Sequence, residues 1–183
     1  MLLLHTCCAP CALSIIEYLV NDKKESQIAL YFANSNIWPK EEYKKRLQEV
    51  EKIAKIYNLD LIKARYKHKK WLEFLKNKLP KILTDYPEND LRCLICFQFR
   101  LLKTVLKAQA AGFKEFGTTL SVNRFKDTDF INQYAQKLAR ENNLTYIQFP
   151  LDPQKAHQKE KELCQKHNLY SQKYCGCEFS LPA

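Results

Sequence analysis

Glycine is scarce in this sequence, which has three glycines in 183 residues, at positions 112, 117 and 176. So few glycines exclude the Gly-x-Gly-x-x-Gly fingerprint, a Walker loop and a glycine-rich pyrophosphate cradle, because these motifs need glycine where the backbone approaches a phosphate. The sequence therefore disfavours ATP or NAD binding of the usual kind.

Long apolar runs and leader features are also missing. No stretch approaches the 18 apolar residues of a membrane span, since charged residues or asparagines interrupt every run. The N-terminus lacks the basic and long apolar regions of a secretory signal, so we expect a cytoplasmic protein that makes no membrane contact. Its eight cysteines are then not expected to form a disulfide scaffold.

Charge of one sign is in excess. Thirty lysines and arginines oppose twenty acidic residues, giving a net charge of +10. Such a balance attracts polyanions such as RNA, but a solubilising surface explains it equally well. Lys63, Arg65 and Lys67 alternate along a predicted strand and are followed by cations and rings that can stack on bases. The segment 63–71, which includes His68, Lys69, Lys70 and Trp71, is therefore a candidate RNA-facing edge.

The apolar periodicity predicts an α/β fold with a mostly parallel sheet flanked by helices, in a single domain spanning 1–183. Short strand-like runs alternate with longer segments whose apolar residues recur every three or four positions. The predicted strands cover 2–5, 27–33, 59–66, 113–120 and 145–149. Helices are predicted from about 10, over 43–57, from 93 to a stop at 112, over 127–142 and over 154–167, with a loop at 80–90.

Four cysteines form two pairs, one at the end of a predicted strand and one at the start of a predicted helix. Cys7 and Cys8 follow the first strand, where a turn lets both face one metal, and Cys93 and Cys96 open a helix on one face. The N-terminus of a helix stabilises a thiolate, and the carboxyl ends of parallel strands are where ligands bind. Four such sulfurs suit an iron–sulfur cluster or a structural zinc, and the spacing does not separate these from unliganded buried cysteines.

The remaining cysteines are less regular. In Cys175-Gly176-Cys177 the glycine permits the unusual backbone angles that bring the two sulfurs together. A disulfide across so short a loop is strained and easily reduced, which suits a redox pair; two inert thiols are the alternative. Cys11, one turn into the first helix, is a further ligand or an activated thiol, while Cys164 is expected to be an ordinary half-buried cysteine.

Four ordered motifs resemble the epoxyqueuosine reductases of the QueH type. The resemblance covers nearly the whole chain. The motifs are His5-Thr6-Cys7-Cys8-Ala9-Pro10-Cys11, Arg92-Cys93-Leu94-Ile95-Cys96-Phe97-Gln98-Phe99-Arg100-Leu101, Thr118-Thr119-Leu120-Ser121 and Tyr174-Cys175-Gly176-Cys177.

This resemblance implies a HUP-like α/β fold and a cobalamin-independent oxidoreductase acting in queuosine biosynthesis. The epoxide of epoxyqueuosine, at the tRNA wobble position, would be reduced to the alkene of queuosine with electrons from an unidentified donor. A [4Fe–4S] cluster would be held by Cys7, Cys8, Cys93 and Cys96. The resemblance also implies a redox-active disulfide between Cys175 and Cys177, and an additional mononuclear iron.

Cys11 is the ligand that we expect for that iron. Asn123, Arg124 and Lys126, which follow a predicted strand end, are candidate phosphate contacts. The main alternative to this function is a non-catalytic RNA-binding module stapled by zinc.

Overall fold

A computed structural model describes residues 1–22 and 27–181. Five strands form one parallel sheet: β1 (Leu2–His5), β2 (Ile28–Phe32), β3 (Asp60–Lys63), β4 (Glu115–Thr118) and β5 (Thr145–Tyr146). Their order across the sheet is β3-β2-β1-β4-β5, so β1 is central. The chain builds outward from β1 on one side and then returns to its other side at β4.

Six α-helices surround this sheet. They are α1 (Ala9–Glu17), α2 (Lys40–Ile56), α3 (His68–Lys76), α4 (Leu91–Ala110), α5 (Thr128–Glu141) and α6 (Pro153–Lys166). A π-helical turn, Tyr18–Asp22, extends α1, and short 3-10 turns cover Leu83–Asp85, Thr119–Val122 and Glu178–Ser180. The described helices lack the combination of length and apolarity needed to cross a membrane.

Both faces of the sheet are covered. Leu2 and Leu4 pack on one face with apolar residues of α1, α2 and α6, whereas Leu3 packs on the other with α4 and α5. This explains why β1 and β2 are buried at every position, as strands of a two-sided parallel sheet must be. The predicted α/β class, with a parallel sheet between helices, is confirmed, and the layout fits a HUP-like domain.

Most predicted elements are present within a few residues of their expected bounds. Strands β3, β4 and β5 are shorter than predicted, and Gly112 ends α4 with the expected left-handed backbone, at φ 75°. Helix α3 was not predicted; its first four residues, 68–71, belong to the segment predicted to be an RNA-facing edge.

Trp71 corrects that prediction. Its side chain is 1 % exposed and packs with Leu75, Phe99 and Cys177 in a third apolar cluster beneath α3. The ring is therefore part of the core and has no free face for a base. The lysines beside it, Lys69 and Lys70, remain exposed.

Candidate active site

A cleft opens at the carboxyl ends of β1 and β4. These neighbouring strands lie where the chain order reverses, which is where open parallel sheets bind ligands. The cavity is about 620 Å³ and lies between the start of α1, the residues after β4, one face of α6 and a C-terminal segment, residues 170–181. It falls in the range usual for small-molecule sites.

Three cysteines converge on one wall of this cleft. The Sγ atoms of Cys7, Cys8 and Cys11 all lie within 4.8 Å of one another, and Cys7 and Cys8 are 3.6 Å apart. Cys8 is the N-cap of α1, with an extended backbone and no capping bond from its side chain, so its sulfur is left for the cleft. Pro10, in the first turn, fixes the start of the helix. Sequence spacing placed these sulfurs close together, and the structure brings them within ligand distance.

Charge on this trio is unevenly distributed. Hydrogen bonds with the side chains of Cys11 and Cys8 lower the pKa of Cys7. The pKa of Cys11 is raised, first by its hydrogen bond with Cys7 and then by that with Cys8. Cys7 also accepts a hydrogen bond from the Thr119 hydroxyl, at 3.2 Å. Of the three, Cys7 is therefore the sulfur that loses its proton most readily, and the thiolate is the form that binds a soft metal.

Cys93 and Cys96 lie on α4, behind the trio. Among the residues that the structure describes, they fall outside the group of three sulfurs, although Cys93 shares an apolar cluster with Cys7, Cys8 and Cys11. Burial raises the pKa of Cys93 and raises that of Cys96 to about 12, so both are thiols in the absence of metal. All eight cysteines are free, and none forms a disulfide.

A buried polar chain fixes α4 to the end of β1. Arg100 Nη2 donates to Asn34 Oδ1 at 2.6 Å, and Asn34 Nδ2 donates to the carbonyl of Thr6 at 2.9 Å. The helix that carries Cys93 and Cys96 is thereby fixed to the residue just before Cys7. Burial, together with the positive charge of Arg100, also lowers the pKa of His5 to about 3, so this histidine is neutral.

The C-terminal segment forms the opposite wall. Arg46 of α2 donates to the carbonyls of Cys175 and Tyr174, at 3.0 and 3.1 Å, and Trp38 N donates to the carbonyl of Gly176 at 2.7 Å. Gly176 has φ 122°, and a Cβ there would lie 2.7 Å from Arg46 Nη1. Gly176 thus has the unusual backbone angles predicted for it, and its missing side chain lets the Arg46 guanidinium approach the backbone.

The two cysteines of this segment differ in environment. Cys175 is half-buried and lines the cleft, where Lys126 Nζ donates to its sulfur at 3.3 Å. Cys177 is buried and hydrogen-bonded with Ser180, and burial raises its pKa. Cys175 is thus the sulfur of the pair that a substrate in the cleft would meet.

Two candidate phosphate contacts face sulfur. Lys126 contacts Cys175, and Asn123 Nδ2 donates to Cys11 Sγ at 3.3 Å. Arg124 is exposed and packs its guanidinium on the Phe125 ring. Arg124 is therefore the member of the group that is left to meet a polyanion.

Sequence reasoning assigned no role to Arg46 and missed Glu160. The ion pair of Arg46 with Glu42 is local to α2, but its bonds to the carbonyls of Tyr174 and Cys175 join residues more than 120 positions apart, which no local pattern predicts. Glu160 did give a local signal: it stands in the apolar stripe of α6 with Ala156 and Leu163, and it is 7 % exposed. An acidic residue within a buried helical stripe is informative in itself.

The buried Glu160 carboxyl predicts a pH-dependent stability. Burial, reinforced by Cys7, raises its pKa from 4.5 to about 8. Between these values the folded protein keeps a proton that the unfolded chain releases, so this group's stabilising contribution is lost as pH rises through the window. Replacing Glu160→Gln removes the titration, and the variant should gain in Tm relative to wild type between about pH 5 and about pH 9.

Thermal unfolding of metal-free, reduced protein measures this difference. Glu162→Gln, on the exposed side of the same helix, is the matched control and should follow wild type. A Glu160→Gln variant whose Tm stays parallel to wild type across the range would show that the carboxyl is already ionised in the folded state.

Comparison with known proteins places these residues in a family. A family model described as "Epoxyqueuosine reductase QueH" matches residues 2–183. A protein of that name from Staphylococcus epidermidis is 33% identical over 185 residues, covering 98% of this chain and 75% of the relative. A relative of the same name from Haemophilus influenzae is 32% identical, covering 98% of this chain and 71% of the relative. Another, from Streptococcus pyogenes, is 30% identical, covering 98% of this chain and 69% of the relative. The chain belongs to the QueH family of epoxyqueuosine reductases.

Proposed function

We propose that this protein reduces the epoxide of epoxyqueuosine in tRNA to the alkene of queuosine. The observation that carries the proposal is the meeting, in one cleft at the switch point of the sheet, of the cysteine trio with the half-buried Cys175. Membership of the QueH family supports the same activity. The excess of positive charge is favourable for a tRNA substrate.

The Cys175 and Cys177 thiols can supply what this reaction consumes. Opening the epoxide breaks two C–O bonds and forms one C=C bond, and the oxygen leaves as water after taking up two electrons and two protons. Oxidising the dithiol breaks two S–H bonds, forms one S–S bond and releases two electrons and two protons, so the exchange balances. An external electron donor must then restore the dithiol.

The surrounding side chains have distinct tasks in this scheme. Lys126 places an ammonium group beside the Cys175 sulfur and donates a charge-assisted hydrogen bond to it. Arg46 holds the backbone on either side of that sulfur through two carbonyls. Cys175 is therefore held at the cleft surface, whereas Cys177 is buried in the protein interior.

We further propose that Cys7, Cys8, Cys93 and Cys96 hold a [4Fe–4S] cluster and that Cys11 ligates an additional mononuclear iron. All five sulfurs are buried, and Cys7, Cys8 and Cys11 line the cleft. Cys93 and Cys96 lie on α4, the helix that contributes Arg100 to the lining of the same cleft. When bound, such a cluster passes electrons singly, which complements a two-electron dithiol. No cobalamin is required by this scheme.

Nucleoside mass analysis tests the activity. Protein purified without oxygen should contain about four or more irons per chain and should convert epoxyqueuosine to queuosine in tRNA with dithionite as donor. Cys175→Ser and Cys177→Ser should lose turnover, because neither can form the disulfide. Cys164→Ser removes a buried thiol of α6 instead and should retain activity.

Two outcomes would contradict the proposal in different ways. Cys175→Ser turning over at the wild-type rate would remove the dithiol from the scheme. A protein that contains zinc but no iron, binds tRNA and forms no queuosine would instead be a zinc-stapled RNA-binding module.

A further inference from the structure

Each sulfur of the cysteine trio faces a hydrogen-bond donor from another part of the chain. Thr119, in the turn after β4, donates its hydroxyl to Cys7 Sγ at 3.2 Å. Gln172, in the C-terminal segment, donates Nε2 to Cys8 Sγ at 2.9 Å. The third donor is Asn123, whose Nδ2 lies 3.3 Å from Cys11 Sγ.

The direction of two of these bonds is fixed by neighbouring backbone groups. The N–H of Phe125 donates to Asn123 Oδ1 at 3.0 Å, so the amide must turn its NH₂ group toward Cys11. The N–H of Cys7 donates to Thr119 Oγ1 at 3.0 Å, which leaves the hydroxyl hydrogen for the Cys7 sulfur. Both sulfurs are therefore acceptors, the role that a metal-bound thiolate plays.

Gln172 has a different signature. Within residues 1–22 and 27–181, its buried Oε1 has no hydrogen-bond partner, and its amide bonds only to Cys8. A buried acceptor without a partner is unfavourable, so packing alone does not explain an amide at this position. The hydrogen bond from its NH₂ group to the Cys8 sulfur does explain it.

We infer that Gln172, Thr119 and Asn123 are positioning residues that raise the reduction potential of the metal centre through their hydrogen bonds to the Cys8, Cys7 and Cys11 sulfurs. This rests on the iron–sulfur part of the proposed function. A donor at a ligand sulfur draws off negative charge, and the reduced centre, which carries more of that charge, gains more from it than the oxidised one.

Gln172 also links two parts of the site. It lies three residues before Cys175 in the same segment, and the segment is held by Arg46 and Trp38. The wall that carries the dithiol is therefore the wall that sets the potential at Cys8. Any displacement of this wall that breaks the Gln172 bond lowers the potential of the centre.

Redox titration monitored by electron paramagnetic resonance tests the inference without substrate. Gln172→Met keeps the side-chain length, removes the donor and also removes the unpaired oxygen. Its centre should be reduced at a more negative potential than that of wild type, with unchanged iron content. Gln165→Met, the same change at an exposed position of α6, should leave the potential unshifted.

A second pair of variants covers the Cys7 bond. Thr119→Val should also shift the potential to a more negative value, whereas Thr119→Ser, which keeps the hydroxyl, should restore it. Unshifted potentials in both Gln172→Met and Thr119→Val would overturn the inference. Loss of iron from Gln172→Met alone would overturn it too, because the amide would then serve assembly.

The same titration separates this inference from the proposed function. A wild-type protein without iron refutes both. Iron whose potential responds to Gln172→Met, in a protein that forms no queuosine, supports the inference and refutes the activity. Queuosine formation with unresponsive potentials does the reverse.

Discussion

Cys7→Ser should remove the metal centre and reduce queuosine formation by more than about a hundredfold. Loss of a residue that only hydrogen-bonds to a metal ligand already costs up to about a hundredfold, and Cys7 is itself a proposed ligand. Cys7 directly follows the central strand, lies 3.6 Å from Cys8 and has the lowered pKa of the trio. A serine hydroxyl is a hard ligand that keeps its proton, so it does not replace a soft thiolate. Iron and sulfide analysis, followed by the tRNA assay, measures the effect.

Cys11→Ser separates the two kinds of iron in the same experiment. If Cys11 ligates the additional iron, this variant loses about one iron and keeps the absorption of the cluster. Retention of all iron and full activity in Cys7→Ser would contradict the proposed ligand set. Cys164→Ser again controls for loss of a buried thiol.

Trp71→Ala should lower the free energy of unfolding by about 3–5 kcal/mol, the usual range for removing a large buried ring. Trp71 is 1 % exposed and lies on the buried face of α3, with the rings of His68 and Phe179 at centroid distances of 5.2 and 6.1 Å. The cluster beneath it also holds Cys96 and Cys177. The cavity would therefore loosen the support of both cysteine pairs.

Urea unfolding of reduced protein measures this loss, with Lys70→Ala as the matched control on the exposed face of α3. Lys70→Ala should leave the unfolding midpoint within error of wild type. An unchanged midpoint in Trp71→Ala together with weaker RNA binding would return the ring to the RNA-facing role predicted from the sequence.

The comparison between Trp71 and Leu3 shows how far sequence reasoning extends. The largely apolar run Leu2–His5 predicts β1, and the alternation of short strand-like runs with longer helical ones predicts the parallel sheet. Trp71 follows several cations, and local composition does not reveal which side of a short helix is covered. Helix α3 is covered by the C-terminal segment, a contact between residues more than 100 positions apart.

The site divides in the same way. Cys7, Cys8 and Cys11 are neighbours in sequence, and a strand followed by a helix is enough to predict that they converge. Arg46 and Gln172 act across 129 and 164 residues, through bonds to Cys175 and Cys8 that no spacing anticipates. Such partners are specified by the tertiary fold, in which α2 and the C-terminal segment meet over the cleft.

The two walls of the cleft belong to structures of different cooperativity. The trio follows β1, which pairs with a strand on each side and is completely buried, so this wall opens only when the sheet itself unfolds. The segment 170–181 contains no strand; it is held by polar contacts, including those from Arg46 and Trp38, and by the packing of Cys177 and Phe179 against Trp71. Displacing this segment would break side-chain contacts but no strand pairing, so the sheet and the trio that follows β1 could stay intact while it opens.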